Sequence, residues 1–150
     1  MYSQLKKQTE FEEGKKLKAY KDSLGILSIG IGHNLRARPK IGDWKIPSTI
    51  TEDECSVIFN QDVQDTIEAL AEGYPRIKFL DPARRDAVIQ MAFQLGVAGV
   101  LAFHNMFIAL DKGDWRIASK EALDSKWAKQ TPARAKRVAK QILTGIYYEV

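Results

Sequence analysis

Cysteine is almost missing from this sequence. Cys55 is the single one in 150 residues, so no intrachain disulfide framework can form. Two histidines beside one cysteine are too few for a His/Cys zinc site, and no metal is expected. No apolar run reaches the roughly 18 residues of a membrane span, so membrane insertion is not expected. Met1 to Gly14 is polar and charged and lacks an apolar h-region. The expectation is therefore a chain made in the cytoplasm without a Sec-type signal peptide. Repeats and low-complexity segments are absent too. There is no Gly-x-Ser-x-Gly elbow and no P-loop, which leaves serine-hydrolase and nucleotide-phosphate chemistry unsupported. Gly30-Ile-Gly32 is followed by His-Asn-Leu, without a third glycine or a helix, so the dinucleotide fingerprint also fails.

What is present suits a globular chain. One hundred and fifty residues fit one domain, or one domain of two small lobes, and can bury over half of the unfolded surface. The apolar share of 45% and charged share of 28% exclude a disordered, collagen-like or coiled-coil chain. The net charge is +4 and unevenly spread. Lys126, Lys129, Arg134, Lys136, Arg137 and Lys140 fall in one stretch without an acidic residue. Such a field favours an anionic partner, although a charge run alone reads more simply as a solvated helix face.

The texture changes near residue 50. Ser3 to Glu13 reads as a helix, with Ser3 as N-cap and Gly14 as the stop. Leu17–Lys21 and Ile26–Ile31 read as a β-hairpin about the turn Asp22-Ser23-Leu24-Gly25. Gly30 and Gly32 suggest a bulge, or the close approach of another backbone. The segment 36–50, with Pro39, Pro47 and Gly42-Asp43, reads as loop with one further short strand. Thr51-Glu-Asp-Glu54 has capping-box spacing, and Cys55, Ile58, Phe59, Val63, Ile67 and Leu70 then recur at helical spacing up to Gly73. That predicts a helix about 30 Å long. Asp81-Pro82 opens another, with Val88, Met91, Ala92 and Leu95 inward and Gly96 as its end. Short helices follow near 98–103 and 105–112. Asp114 caps one carrying Trp115, Ala118 and Ala122. Thr131-Pro132 opens the last, with Ala135, Val138, Ala139 and Ile142 inward and Gly145 as the stop.

The chemistry on offer is a set of carboxylates near the hairpin: Glu12, Glu13 and Asp22. Glycoside hydrolysis needs one carboxyl that protonates the leaving oxygen and another that stays ionised. Glu13 faces the negative end of its helix dipole, which favours the protonated form. Asp22 opens a polar turn with Ser23 and Ser28 near by, which favours the ionised form. Glu13 as acid and Asp22 as base is one reading. Carboxylates nine residues apart occur in most proteins, so spacing alone does not select them.

Several separate motifs carry a resemblance. Phe11-Glu-Glu13-Gly14, Ala19-Tyr-Lys-Asp22 and Ser28-Ile-Gly-Ile-Gly-His33 are similar to the catalytic segment of the phage-type lysozymes. Ile50-Thr-x-Asp-Glu and Phe59-Asn-Gln-Asp-Val63 resemble that family's inter-lobe helix. Arg84-Arg-x-Ala-x-Ile-x-Met-x-Phe-Gln94 resembles its cleft helix. Trp127-x-x-Gln-Thr-Pro-x-Arg-Ala-Lys-Arg-Val138 is especially close to the T-even coliphage type. The motifs fall in the family's order across most of the chain.

The resemblance implies a mostly helical α+β lysozyme-like fold in one domain. A small β-containing lobe over about 15–50 would be joined by a helix over about 52–72 to a helical lobe over about 73–150, which also takes the N-terminal helix. It implies an endolysin: a muramidase that cuts peptidoglycan between N-acetylmuramic acid and N-acetylglucosamine, with inversion, and lyses the host at the end of phage infection. It implies no cofactor, a monomer, release through a separate holin, and action in the periplasm and cell wall. Glu13 would be the acid, and Asp22 with Ser28 would hold the attacking water. Gly32, Asn34, Phe93 and Gln94 would bind saccharide. Arg134 would approach the general acid, and His33 would be structural, paired with Asp62.

Three departures stand out. Ser28 replaces the family's threonine and loses the methyl that stiffens χ1. The 33–50 stretch is shorter than in the T-even enzyme, with a small helix expected to be missing. Asn34, Met106 and Glu121 stand where that enzyme's cleft has other side chains. Cys55 reads as a buried thiol, and Trp115 and Trp127 as core rather than sugar platforms. Two rival classes remain: a nucleic-acid-binding domain, for which no motif is found, and an inactive wall-binding module, which would lack the acid or the base.

Overall fold

The computed structural model describes all residues, 1–150. It has two compact units, Met1–Asp65 and Thr66–Val150, each described by itself below. The division falls inside the long helix, and the N-terminal helix belongs to the first unit.

In the first unit, α1 (Ser3–Glu13) buries Leu5, Gln8 and Thr9. Ser3 is not its N-cap. Tyr2 takes that place in the left-handed region, with φ of 54° and no side-chain cap bond. At the other end the Gly14 amide donates to the Glu10 carbonyl, 2.8 Å, and the chain turns into the sheet. Strands β1 (Lys16–Lys21), β2 (Leu27–Gly30) and β3 (His33–Asn34) form an antiparallel sheet in that order. The irregularity expected around Gly30 lies in β1 instead. Lys16 pairs with Gly30 but Tyr20 pairs with Ser28, so β1 carries extra residues between them. Those residues find partners elsewhere: Ala19 donates to the Ser48 carbonyl, and Ile50 donates to Leu17, both near 2.9 Å. Gly30, at φ +65°, faces the thiol of Cys55 rather than another backbone; a β-carbon there would lie 3.3 Å from Sγ. Burial pushes the Cys55 thiol pKa up.

The segment from 36 to 50 is more regular than expected. Strands β4 (Lys40–Ile41) and β5 (Trp44–Lys45) form a second small hairpin around Gly42-Asp43, and no helix occurs between 34 and 51. Helix α2 (Glu52–Gly73) opens on the capping box. The Glu54 amide donates to Thr51 Oγ1 at 3.1 Å, and the Thr51 amide donates back to Glu54 Oε1 at 2.9 Å. Its first turns are tied to α1, by Lys6 donating to Ser56 and by Lys15 pairing with Glu52.

The second unit is helical. A 3₁₀ turn at Pro75–Phe79, not foreseen, leads to α3 (Pro82–Leu95). Asp81 caps α3 by accepting from the Arg84 amide, and Gly96 ends it. The helix is buried well beyond the expected stripe: Ala83, Asp86, Ala87, Ile89 and Gln90 are covered as well, whereas Leu95 is only half-buried. Covering Asp86 requires compensation, which comes from the Tyr147 hydroxyl and Arg85 Nε donating to its carboxylate. Helices α4 (Val97–Leu101), α5 (His104–Asp111), α6 (Trp115–Leu123), α7 (Lys126–Gln130) and α8 (Pro132–Thr144) follow. The last packs on α6 and α3 through Ala135, Val138, Ala139 and Ile142. Trp115 is only half-buried, unlike Ala118 and Ala122 on the same helix. Its ring carries the Arg84 guanidinium at 4.0 Å. That Arg84 also donates to the carbonyls of Ile142 and Leu143, which a helix C-terminus leaves without partners.

Candidate active site

Glu13 is the last residue of α1, exposed, and held at the start of the sheet by the turn at Gly14. The open side of Gly32 faces it; a β-carbon there would lie 3.6 Å from Glu13 Cβ. Gly32 thus brings bare backbone against the side chain of the expected acid.

Asp22 opens the hairpin turn, and the turn fixes its carboxylate. Oδ1 accepts from the amides of Leu24, 2.8 Å, and Ile26, 2.9 Å. Its backbone closes the same turn, accepting from Gly25 and donating to Ile26. This is an Asx-type arrangement, and it explains why an aspartate suits the position.

Ser28 lies on the central strand and is buried, with its hydroxyl donating to the Ile26 carbonyl at 3.2 Å. It pairs across the ladder with Tyr20 on one side and Asn34 on the other. Residues directly opposite in an antiparallel ladder project from the same face. Ser28, Tyr20 and Asn34 therefore share one face. The Asn34 side-chain oxygen is engaged in accepting from the Ala37 amide, 2.9 Å.

Tyr20 links these residues. Burial raises its phenol pKa first, and the negative charges of Asp22 and then Glu13 raise it further. Both carboxylates therefore act on one phenol. Lys16 places its ammonium over the same ring, 4.4 Å from the centroid. Sequence reading passed over Tyr20 and Lys16, because only the strand register and the bulge reveal their neighbours.

His33 is buried beneath this face. Its Nδ1 meets both Asp62 oxygens, at 2.8 and 3.0 Å, and its Nε2 meets the Arg38 carbonyl at 2.8 Å. Arg38 also pairs with Asp65. Burial opposes the charged ring, but the hydrogen bond and charge of Asp62 outweigh it and the His33 pKa is raised. A carboxylate and a carbonyl are both acceptors, so the two ring nitrogens both donate.

In the second unit, Phe93 and Gln94 close α3, both half-buried. Trp127 Nε1 donates to Gln94 Oε1 at 2.8 Å, and Gln94 Nε2 donates to Thr131 at 3.3 Å, which fixes the amide. Trp127 is buried and lies edge-on to Phe103. Arg134 donates to the buried Gln90 at 3.0 Å. Met106 and Glu121 line one surface pocket of about 370 Å³ with Phe103, His104, Asp124 and Ser125. No group of three or more His, Cys, Asp or Glu side chains is placed to hold a metal ion, and no helix is long and apolar enough to cross a membrane.

Comparison with known proteins identifies the family. The family profile described as Phage lysozyme matches residues 10–145. The chain is 35% identical to Probable T4-type lysozyme 1 of Dictyostelium discoideum, over 97% of this chain and 96% of that protein. It is 36% identical to the Pre-baseplate central spike protein Gp5 of Enterobacteria phage T4 over 89% of its own length, but spans only 26% of that longer protein. Against the Endolysin of Salmonella phage P22 it is 34% identical over 57% of this chain and 56% of that one. With the match covering nearly all of its length, the chain belongs to the phage lysozyme family and is, as such, a glycoside hydrolase.

Proposed function

We propose that this chain hydrolyses peptidoglycan at the β-1,4 bond between N-acetylmuramic acid and N-acetylglucosamine, with inversion, and lyses a bacterial host at the end of phage infection. The observation that carries the reading is the pair of carboxylates flanking the first sheet in unlike settings, Glu13 against the bare backbone of Gly32 and Asp22 held in the hairpin turn. Glu13 is exposed at a helix end, while Asp22 is fixed by two amides.

The reaction is a single displacement. Glu13 gives its proton to the glycosidic oxygen as the bond to the anomeric carbon breaks. A water on the opposite side of the ring attacks that carbon, and Asp22 takes its proton. The Ser28 hydroxyl steers the water. General acid and base groups each contribute roughly 10²–10⁴-fold. Gly32, Asn34, Phe93 and Gln94 contact saccharide, with Gln94 pre-oriented by Trp127 and Thr131. The basic stretch 126–140 helps to hold an anionic wall polymer, an attraction that weakens with salt. The chain acts as a monomer in the periplasm and cell wall, after release from the cytoplasm through a separate holin.

The test is Glu13→Gln in a turbidity assay on bacterial walls. Lysis should be abolished while circular dichroism and melting stay as in the wild type. Near-native lysis by Glu13→Gln would remove the assignment of the acid.

A further inference from the structure

A cavity of about 400 Å³ lies in the second unit, between the 3₁₀ turn at Pro75–Phe79, the end of α5 and the start of α6. It shares no residue with the proposed mechanism. The buried ring of Tyr74 lines it, packed at 4.6 Å on Phe107. Phe79, also lining it, is 85% exposed. Trp115 adds its indole, one face of which already carries the Arg84 guanidinium. We propose that this cavity is an accessory saccharide site for a muramyl unit of the wall polymer, with the sugar ring against Phe79 and the carboxylate of the muramyl arm on Lys112. The inference rests on the proposed function for the identity of the polymer, and on none of its catalytic steps.

Two observations select this ligand. The first is the charge. Asp81 and Asp111 both line the cavity, and each has its own cation: Arg84 at 3.2 Å from Asp81, and Arg76 at 3.3 Å from Asp111. Lys112 lines the same cavity, is exposed and stands outside both pairs. One positive charge is therefore left over, which suits a ligand carrying a carboxylate. The second is the mixture of rings and polar groups. Small-molecule sites combine aromatic walls with a few placed polar groups. A sugar matches both, with a C–H face for a ring and hydroxyls for the charged pairs. Phe79 leaves nearly its whole ring to such a partner. Gly113, at φ +70°, keeps the edge of the indole clear; a β-carbon there would lie 3.8 Å from Trp115 Cζ2. N-acetylglucosamine lacks the acidic arm of a muramyl unit, so it can use the rings but not Lys112.

The test titrates the Glu13→Gln chain, so that nothing is cut, with N-acetylmuramic acid and with N-acetylglucosamine, followed by NMR. N-acetylmuramic acid should move the Gly113 amide and the Trp115 indole N–H. N-acetylglucosamine should move the same signals but bind about two- to fivefold more weakly, the worth of one exposed ion pair. Lys112→Ala should erase that difference, and Phe79→Ala should weaken both sugars. Both side chains are exposed, so the fold should hold in each variant. In an otherwise wild-type chain, Phe79→Ala should lower lysis of insoluble walls severalfold and leave hydrolysis of soluble glycan unchanged. Sugars that move only the signals of Phe93 and Gln94 would overturn the inference. Equal affinity for the two sugars, or a difference that survives Lys112→Ala, would overturn it as well. A wild type that binds N-acetylmuramic acid at Gly113 and Trp115 but cuts no walls would instead sink the proposed function and leave this site standing.

Discussion

Both oxygens of Asp62 lie within 3.0 Å of His33 Nδ1, while the far side of the same ring meets the Arg38 carbonyl. With two acceptors and a raised pKa, the folded state holds the imidazolium. A group whose pKa is raised on folding adds stability below its unfolded value, and that addition is lost as pH rises through the folded value. Asp62→Asn should therefore destabilise most at about pH 5–6.5, by roughly 1–3 kcal/mol, and least well above neutrality. Denaturant melts across that range check it. A stability difference that is flat with pH would show that His33 is held neutral.

Ser28 keeps the hydroxyl that the proposed mechanism needs but not the β-branch. Ser28→Thr should be tolerated, since the added methyl restricts χ1 without removing the oxygen. Ser28→Ala should lower turnover more than stability, because the bond to Ile26 is long and its loss costs only about 0.5–1.5 kcal/mol. Ser28→Glu places a nucleophile where the water stood, and mass spectrometry after exposure to cell walls should find a covalent glycosyl adduct. A folded Ser28→Glu protein with unmodified mass would count against Ser28 facing the anomeric carbon.

The first product also reports on the mechanism. A water activated by Asp22 on the face opposite the leaving group yields the α-anomer. Proton NMR of a fresh digest of soluble glycan, read before mutarotation, checks this. If the β-anomer appears first, the reaction passes through two displacements and the role of Asp22 changes.

Gly30 offers a test of packing between the sheet and α2. An alanine there must hold a left-handed backbone, at about 1–2 kcal/mol. Its β-carbon would also press on the Cys55 sulfur at 3.3 Å. Gly30→Ala should lower stability by roughly 1–3 kcal/mol, and Cys55→Ala in the same chain should recover the steric part only. A double-mutant cycle measured by urea unfolding separates the two. Full recovery would mean that the backbone strain is negligible.

The elements legible in the sequence were those whose signals are local. The capping box at Thr51 and Glu54, the Asp81-Pro82 opening and the stops at Gly14, Gly96 and Gly145 each follow from neighbours in the chain. Features set by distant partners were not. Ser3 has good N-cap chemistry, yet Tyr2 holds that place. The β1 bulge depends on residues 48–50 pairing with it. The β4–β5 hairpin is too short to show alternation, and the wide burial of α3 reflects helices around it. Glu13, Asp22 and Ser28 came from a family likeness, since two carboxylates nine apart are commonplace. The neighbours of Tyr20 could not be found from spacing, because they are set by the register with Ser28.

The two amide bonds to Asp22 Oδ1 have a consequence for how this chain can be altered. A surface hairpin tip is ordinarily where added residues, labels or protease sites are accepted. Here Ser23, Leu24 and Gly25 look like such a tip, exposed throughout. But the aim of the carboxylate is written in the spacing from Asp22 to Ile26. Lengthening that loop by even one residue would turn the oxygen away while leaving the rest of the sheet intact. The Gly42-Asp43 tip, which orients none of these groups, is the place for a graft. Of two turns equally exposed to solvent, one is a connector and the other, in the proposed mechanism, is a part of the catalyst.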